Sequence, residues 1–562
     1  MTANPHQPEF VGAESLPASL SLVSSQQPII SAKRNSEETA SRPILIPAVV
    51  PDVSASGVVL PELLESETLA ELQTIYLTDD LLFNFQRCRR RSFLDVYGDR
   101  SLQDSPSNYL LKLKQDSQTH QQEILLEQPA IQPDYFANNW AAGATATLEL
   151  MQQGVDRIAQ GVLLVAIENG ITLVSSPNLL VKQPGQSVFG DWIYAPVDIR
   201  LGKRPKLDYQ VVAAFHAYLL AGVQGAWSET SWLILRRRGA YAVNLTELLP
   251  RMEETLQGCI ETLLHPEEPE IFISSNRCDL CHWYSHCYGI AQSQIHLSLL
   301  PGVTPSRYIY LKEHQITTLE ALAAIQPKKL ESLPGFGPQV AHRLIRQAQA
   351  ALTNEALPDC LPQEPVPYPL LSEAELPTAP IELYFDIEAA PEQNIVYLHG
   401  VLVVDRLNQT ETFHALLAEN QTDESLAWQK FLDLVWQYPD APIYHFCPYE
   451  VQTAKRLAQT YGTPTHLIAP LIHRFVDLHE RITRVAILPV ESYALKPIAR
   501  WVGFDWRDPE ANGAQSVCWY DQWVATGDRT YLDLILRYNE DDCRATYVVK
   551  DWLVQFCQTQ RD

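Results

Sequence analysis

The periodicity of apolar positions changes near residue 76. Residues 1 to about 75 are rich in Ser, Pro, Ala and Gln and only weakly periodic, which predicts a disordered leader with one short helix near Leu60–Tyr76. Beyond it a mixed helical segment is expected at Leu81–Tyr97. Strand-like runs follow at Gly161–Glu168, Ile171–Val174, Leu179–Lys182 and Ile193–Arg200. Val212, Phe215 and Leu219 fall at helical spacing within Tyr209–Gly222, and Ser231–Leu235 reads as another strand. Strands flanked by helices predict a mixed α/β domain. Residues 300–352 read as all-helical, and the Pro-rich stretch Leu357–Pro380 reads as a linker. A second α/β domain is expected to open with two strands, Ile381–Glu388 and Ile395–Val404, and to close on long helices over Tyr531–Phe556. The expected boundaries are 1–75 (leader), 76–295, 296–355 (helical), 356–380 (linker) and 381–562.

The 562-residue length exceeds what one hydrophobic core supports, so several domains are expected. A net charge of −25 excludes a protein that coats nucleic acid by bulk charge, but leaves room for local basic patches and for carboxylates that hold metals. No run of 18 apolar residues and no secretory h-region appear, so a cytoplasmic protein without membrane contact is expected. Six cysteines stand singly (Cys259, Cys360, Cys447, Cys518, Cys543, Cys557), and reduced thiols are expected.

Chemistry concentrates at three places in the last domain. Asp386 and Glu388 lie two apart on the apolar strand Leu383–Glu388, which puts both on one face. Paired like charges there are costly unless a cation neutralises them. The strand-like run Ala441–Phe446 leads through Pro448 and Tyr449 to Glu450 at the start of a helix. Tyr538 and Asp542 are four apart on a helix and share a face. Any one of these could be an ordinary solvated strand end or helix pair, but three in order favour a site. His445 and Tyr449 are expected to pack or support, and Glu540 and Asp541 to point elsewhere into solvent.

These three pieces resemble the motifs of DEDD-type exonucleases of the RNase H superfold, in the Tyr-x-x-x-Asp variant, over roughly 381–556. Ser492–Lys496 is a supporting piece. The resemblance implies that Asp386, Glu388, Glu450 and Asp542 ligate two Mg²⁺ or Mn²⁺ ions and that Tyr538 orients the attacking water in 3′–5′ exonuclease chemistry. One departure is Glu450, where most relatives carry Asp.

Cys278, Cys281 and Cys287 form a CxxC-x5-C group, with Cys88 far upstream. This resembles the iron–sulfur staple of RecB-like nucleases and implies a [4Fe–4S] cluster that ties the ends of the first domain together. Zinc is the chemical rival, and plain structural thiols the bland alternative. Nucleases of that PD-(D/E)xK type need a helix-borne His, an Asp on one strand, an acid-x-Lys on the next and a Gln/Tyr helix. Here His120, Asn178, Asp198, Arg200, Gln210 and Tyr218 occupy those places. Asn178 lacks the charge that holds a metal, and Arg200 cannot shed a proton, so a degenerate second site is expected. Lys203 and Asp191 are the available stand-ins.

Basic clusters at Arg87, Arg89, Arg90 and Arg91, at Arg200, Lys203, Arg204 and Lys206, and at Arg236, Arg237 and Arg238 are candidate phosphate contacts against an ordinary solvated surface. Leu333-Pro334-Gly335-Phe336-Gly337-Pro338 resembles the turn of a helix-hairpin-helix module, where Gly335 and Gly337 would let the backbone approach phosphate. The order of parts, over roughly 78–556, resembles bacterial RecB-like nucleases with a C-terminal RNase H-like domain. The expected function is a metal-dependent nuclease acting on DNA or RNA. A non-catalytic nucleic-acid-binding scaffold is the alternative.

Overall fold

A computed structural model describes residues 74–559, apart from 128, 168–169, 237–238, 266 and 361–369. The leader up to residue 73, Arg237, Arg238 and part of the proline-rich stretch lie outside the described residues. The chain divides into two compact units, one running to Tyr97 and resuming over Asp116–Glu268, the other comprising Gly98–Gln115 and everything from Pro269.

The first unit holds two sheets. Strands β1 (Ile75–Thr78), β3 (Leu163–Ala166) and β4 (Ile171–Ser175) form one in the order β1-β4-β3. Strands β2 (Arg157–Ala159), β5 (Leu179–Ser187), β6 (Gly190–Arg200), β7 (Thr230–Leu235) and β8 (Gly239–Asn244) form the other in sequence order, with β6 and β7 parallel. The helix Leu207–Gln224 is apolar on nearly every side and buries Val211 through Ala217, Leu219 and Leu220 against both sheets. An all-round apolar helix is stable only in such a place. Ile75 and Tyr76 are strand, so the expected leader helix does not reach Tyr76. The expected helical segment Leu81–Tyr97 is broken at Cys88, whose backbone is extended (φ −160°, ψ 114°), into Asp79–Arg87 and Arg89–Tyr97.

In the second unit, residues 297–353 form helices around a small core that includes Leu311, Leu322, Leu330, Phe336 and Leu344. The sequence marked one hairpin here and the structure has two. Pro301-Gly302 precedes the helix Pro305–Glu313 as Pro334-Gly335 precedes Gly337–Thr353. Gly302 (φ +90°) and Gly335 (φ +81°) adopt left-handed backbone that L residues disfavour. Arg307 donates to the carbonyls of both, at 2.7 and 3.0 Å, and holds the two turns together.

The C-terminal sheet contains β10 (Ile381–Ala390), β11 (Ile395–Asp405), β12 (Thr410–Leu417), β13 (Ile443–His445) and β14 (Phe475–Asp477), in the order β12-β11-β10-β13-β14. The first three are antiparallel and the last two run parallel to β10. Both faces are buried, so β11 reads as a near-continuous apolar run, whereas β10 alternates between apolar residues and the series Glu382, Tyr384, Asp386 and Glu388. Leu383, Phe385 and Ile387 enter one core with Trp428, Phe431 and Leu457. Tyr384 enters the other, with residues of the C-terminal helix Arg529–Thr559 such as Cys543, Val549 and Leu553. The period of two therefore aims Asp386 and Glu388 at the C-terminal helix. The proline-rich stretch is more than a linker. β9 (Leu357–Pro358) pairs with Ala486–Ile487, and Leu371 and Leu376 are buried in the same core as Leu402 and Tyr444. Among the described residues no helix is long and apolar enough to cross a membrane.

Candidate active site

Asp386, Glu388 and Asp542 bring one carboxylate oxygen each within 4.8 Å of one another. Two come from adjacent same-face positions of β10 and the third from the C-terminal helix that covers that face. Glu388 and Asp542 are 7% and 8% exposed. Burial, then the charges of Asp542, Glu388 and Glu450, drive the Asp386 carboxyl far above its usual range. Burial and Asp542 push Glu388 up to about 8, and burial pushes Asp542 up to about 7 against the lowering pull of Trp506, Tyr538 and Lys496. Repelling, desolvated carboxylates favour protonation in this way unless a cation is supplied.

Glu382, also on β10 and on the same face, provides an internal contrast. It is 1% exposed, paired to both Lys550 and Arg406, and accepts from the Tyr384 hydroxyl at 2.7 Å. Among the described residues no lysine or arginine is ion-paired with Asp386, Glu388 or Asp542. The donors that reach them are neutral: Asn539 Nδ2 to Asp386 Oδ2 at 2.6 Å, Ser516 Oγ to Glu388 Oε2 at 2.7 Å and Trp506 Nε1 to Asp542 Oδ1 at 2.8 Å. Hard oxygen ligands with uncompensated charge fit Mg²⁺ or Mn²⁺. Sequence reading missed Asn539, Ser516 and Trp506, because a lone polar residue on a helix or loop carries no signal until its partner is known.

Glu450 is not part of the group of three. It starts the helix Tyr449–Thr460, is 4% exposed, and its Oε2 lies 3.3 Å from His445 Nδ1. Its charge nonetheless raises Asp386. Burial raises the Glu450 carboxyl and His445 opposes that. The turn between them is strained: Cys447 has φ +81°, and its N–H donates to Asp477 Oδ1 at 3.1 Å. His445 thus supports Glu450, whereas Tyr449 is 47% exposed. Burial, then Asp542, Glu388 and Asp386, push the Tyr538 phenol far above its ordinary value. Glu540 and Asp541 point away from the carboxylate group but are not solvated. Asp541 is 3% exposed and takes 2.7 and 2.9 Å bonds from Arg507, which also pairs with Glu540. Through these bonds Arg507 ties its segment to the C-terminal helix.

In the first unit, Asp198 is 3% exposed and bonded by Arg200 at 2.7 and 3.1 Å. His216 Nε2 lies 3.2 Å from Asp198 and 3.8 Å from Asp79, and its Nδ1 is 2.6 Å from the Ser175 hydroxyl. Burial would raise Asp198, but Arg200 and then His216 hold it well below the carboxylate range. Arg200 thus supplies the positive charge beside Asp198. Asn178 accepts the Ile199 N–H at 2.7 Å, and Gln210 donates to the Pro205 carbonyl at 2.9 Å, so both serve the backbone. Asp191 cannot stand in for the missing acid. It sits exposed on the β5–β6 hairpin, bonded to Gln186, seven residues along β6 from Asp198, or about 23 Å. Lys203 and Arg204 are exposed in the loop after β6. His120 lies on the helix Asn108–Glu127, its Nε2 buried without a partner. Sequence reading overlooked His216 and Asp79. Arg89 is exposed and lies over the Phe85 ring, but Arg90 is 8% exposed and paired with Glu268, so its charge is already used inside the fold.

None of the ten cysteines forms a disulfide. Cys278 ends the short helix Ser275–Cys278, the Cys281 N–H returns to the Cys278 carbonyl at 2.9 Å, and Cys287 lies on Tyr284–Ser293. All three, like Cys88, are partly exposed.

Comparison with known proteins assigns two of these regions. No curated protein matches the chain. Residues 295–350 match the family model of the SAM-like helix-hairpin-helix tandem, in agreement with two turns rather than one. Residues 383–554 match the RNase H superfamily model, so the five-stranded sheet and the acidic group it carries belong to an RNase H superfamily domain.

Proposed function

We propose that this protein is a metal-dependent nuclease whose RNase H-like domain works as a 3′–5′ exonuclease on DNA or RNA. The observation that carries the reading is the meeting of Asp386, Glu388 and Asp542 within 4.8 Å, none of them ion-paired with a lysine or arginine among the described residues, whereas Glu382 on the same face of β10 is paired to both Lys550 and Arg406. Asp386, Glu388 and Asp542 would hold the ions, and Glu450, beside His445 and close enough for its charge to raise Asp386, would complete the set. When bound, two Mg²⁺ or Mn²⁺ ions stabilise charge on the attacking and departing oxygens of a phosphodiester. Burial and then Asp542 push the Tyr538 phenol up, which supports a role in orienting water by hydrogen bonding rather than as a base. The 3′–5′ polarity rests on the motif resemblance.

The helix-hairpin-helix turn that carries Gly335 and Gly337 would approach the sugar-phosphate backbone, and in the first unit the exposed cations Arg89, Lys203 and Arg204 would be phosphate contacts. Arg200 occupies the role of a metal beside Asp198, which supports a RecB-like first unit that is degenerate as a nuclease. The spacing of Cys88, Cys278, Cys281 and Cys287 supports a [4Fe–4S] cluster, with zinc as the rival.

The test is digestion of end-labelled single- and double-stranded DNA and RNA with Mg²⁺ or Mn²⁺. Products should shorten from the 3′ end, Asp386→Ala should abolish them, and Asp198→Ala should not. The opposite pattern would move the working site to the first unit. Binding without digestion under all conditions would favour the scaffold reading.

A further inference from the structure

Asn539 follows Tyr538 on the C-terminal helix and is fully buried. Its Nδ2 donates to Asp386 Oδ2 at 2.6 Å, while its Oδ1 is buried with no partner. Opposite Asp386 in the β10–β11 register stands Gly400. A Cβ at Gly400 would fall 1.7 Å from Asn539 Oδ1, an overlap no small shift relieves. The helix is tight against the strand here: Cys543, one turn on, approaches the Gly400 carbonyl with its Sγ at 3.5 Å.

As mere packing this arrangement is unfavourable twice over. A glycine interrupts the middle of a long strand, and a buried amide oxygen goes unsatisfied. An apolar side chain of similar size would avoid the unsatisfied oxygen, though it too would need the glycine. What the asparagine adds is a donor aimed at one oxygen of the carboxylate that feels the most repulsion in the site.

We infer that Asn539 is a positioning residue for Asp386, and that Gly400 is the gap that admits it. With Oδ2 held, the Asp386 carboxylate is fixed about its Cβ–Cγ bond in the orientation that meets Glu388 and Asp542. A neutral donor does this without supplying the positive charge that would displace a metal. The inference rests on the proposed metal-binding role of the acidic group and specifies how its geometry is set before any ion arrives.

The experiment measures Mn²⁺ binding to the full chain by titration calorimetry and electron paramagnetic resonance, with melting in EDTA as a check on folding. Asn539→Ala and the near-isosteric Asn539→Leu should stay folded and bind Mn²⁺ about 10–100-fold more weakly, as loss of a residue that orients a ligand does. At saturating Mn²⁺, kcat should recover most of its value, so the defect lies in the metal concentration required. Gly400→Ala should also weaken Mn²⁺ binding. In the Asn539→Ala background it should add little, about twofold or less, because the obstructing amide is gone. Wild-type Mn²⁺ affinity in both Asn539 variants would overturn the inference and leave the metal-site reading standing. Equal, additive losses from Gly400→Ala in both backgrounds would overturn the pairing of the two positions. Failure of the wild-type chain itself to bind Mn²⁺ would remove both the inference and the reading beneath it.

Discussion

Glu388→Gln should stabilise the metal-free protein. In the native state the Glu388 carboxyl is raised from 4.5 to about 8, by burial first and Asp542 second. A raised carboxyl contributes stability that is complete below its unfolded pKa and disappears as pH climbs through the folded value. The window is therefore roughly pH 4.5 to 8. At about 1.36 kcal/mol per pKa unit, keeping this glutamate buried costs about 4 kcal/mol at pH 8 and under about 1 kcal/mol at pH 5. Glutamine is neutral and can still accept the Ser516 hydroxyl, now bonded at 2.7 Å, but its own amide must be desolvated. A net gain of about 2 kcal/mol at pH 8 is expected, or about 4–8 °C in Tm for a domain of this size. The assay is calorimetric melting in EDTA from pH 5 to 8, following the transition that Mg²⁺ shifts in the wild type. The gain should shrink towards zero at pH 5, and Mg²⁺ should raise the variant's Tm less than the wild type's. A variant that melts below wild type in EDTA at pH 8, or a gain independent of pH, would refute the claim that uncompensated charge dominates this site.

Further outcomes follow from the same geometry. Mg²⁺ binding should release protons near pH 7, because Glu388 and Asp542 titrate near 8 and 7 without metal; calorimetry in buffers of different ionisation enthalpy would count them. Lys550→Ala leaves a buried Glu382 with Arg406 alone and should cost about 3 kcal/mol, read as a lower Tm with Mn²⁺ affinity unchanged. Asp198→Asn strips Arg200 and His216 of their shared partner, so the first unit should unfold about 3 kcal/mol more easily while digestion per folded molecule stays constant. Cys281→Ser should abolish absorbance near about 400 nm in protein prepared without oxygen if an iron–sulfur cluster is bound; a colourless wild type with stoichiometric zinc would decide for the rival metal.

The sequence alone located Asp386, Glu388 and Asp542, because strand period and helix period are local rules that place side chains on a face whatever lies opposite. It located Gly335 for a similar reason, since left-handed backbone in a turn leaves a glycine in the text. Strand period by itself does not separate Glu382 from Asp386 and Glu388, which the motif resemblance singled out. All three are acids on one strand face, and only folding pairs the first with Lys550 and Arg406, while among the described residues the other two have no ion-paired lysine or arginine. Asp541, expected in solvent, is buried because Arg507 from a distant segment closes over it. Arg90 is spent on Glu268, and Asp198 on Arg200 and His216. Pairings between residues far apart in the chain are set by packing, and packing has no local signature. That is why the chain itself names the charged groups, while tertiary structure decides which remain uncompensated and hence free to bind a metal.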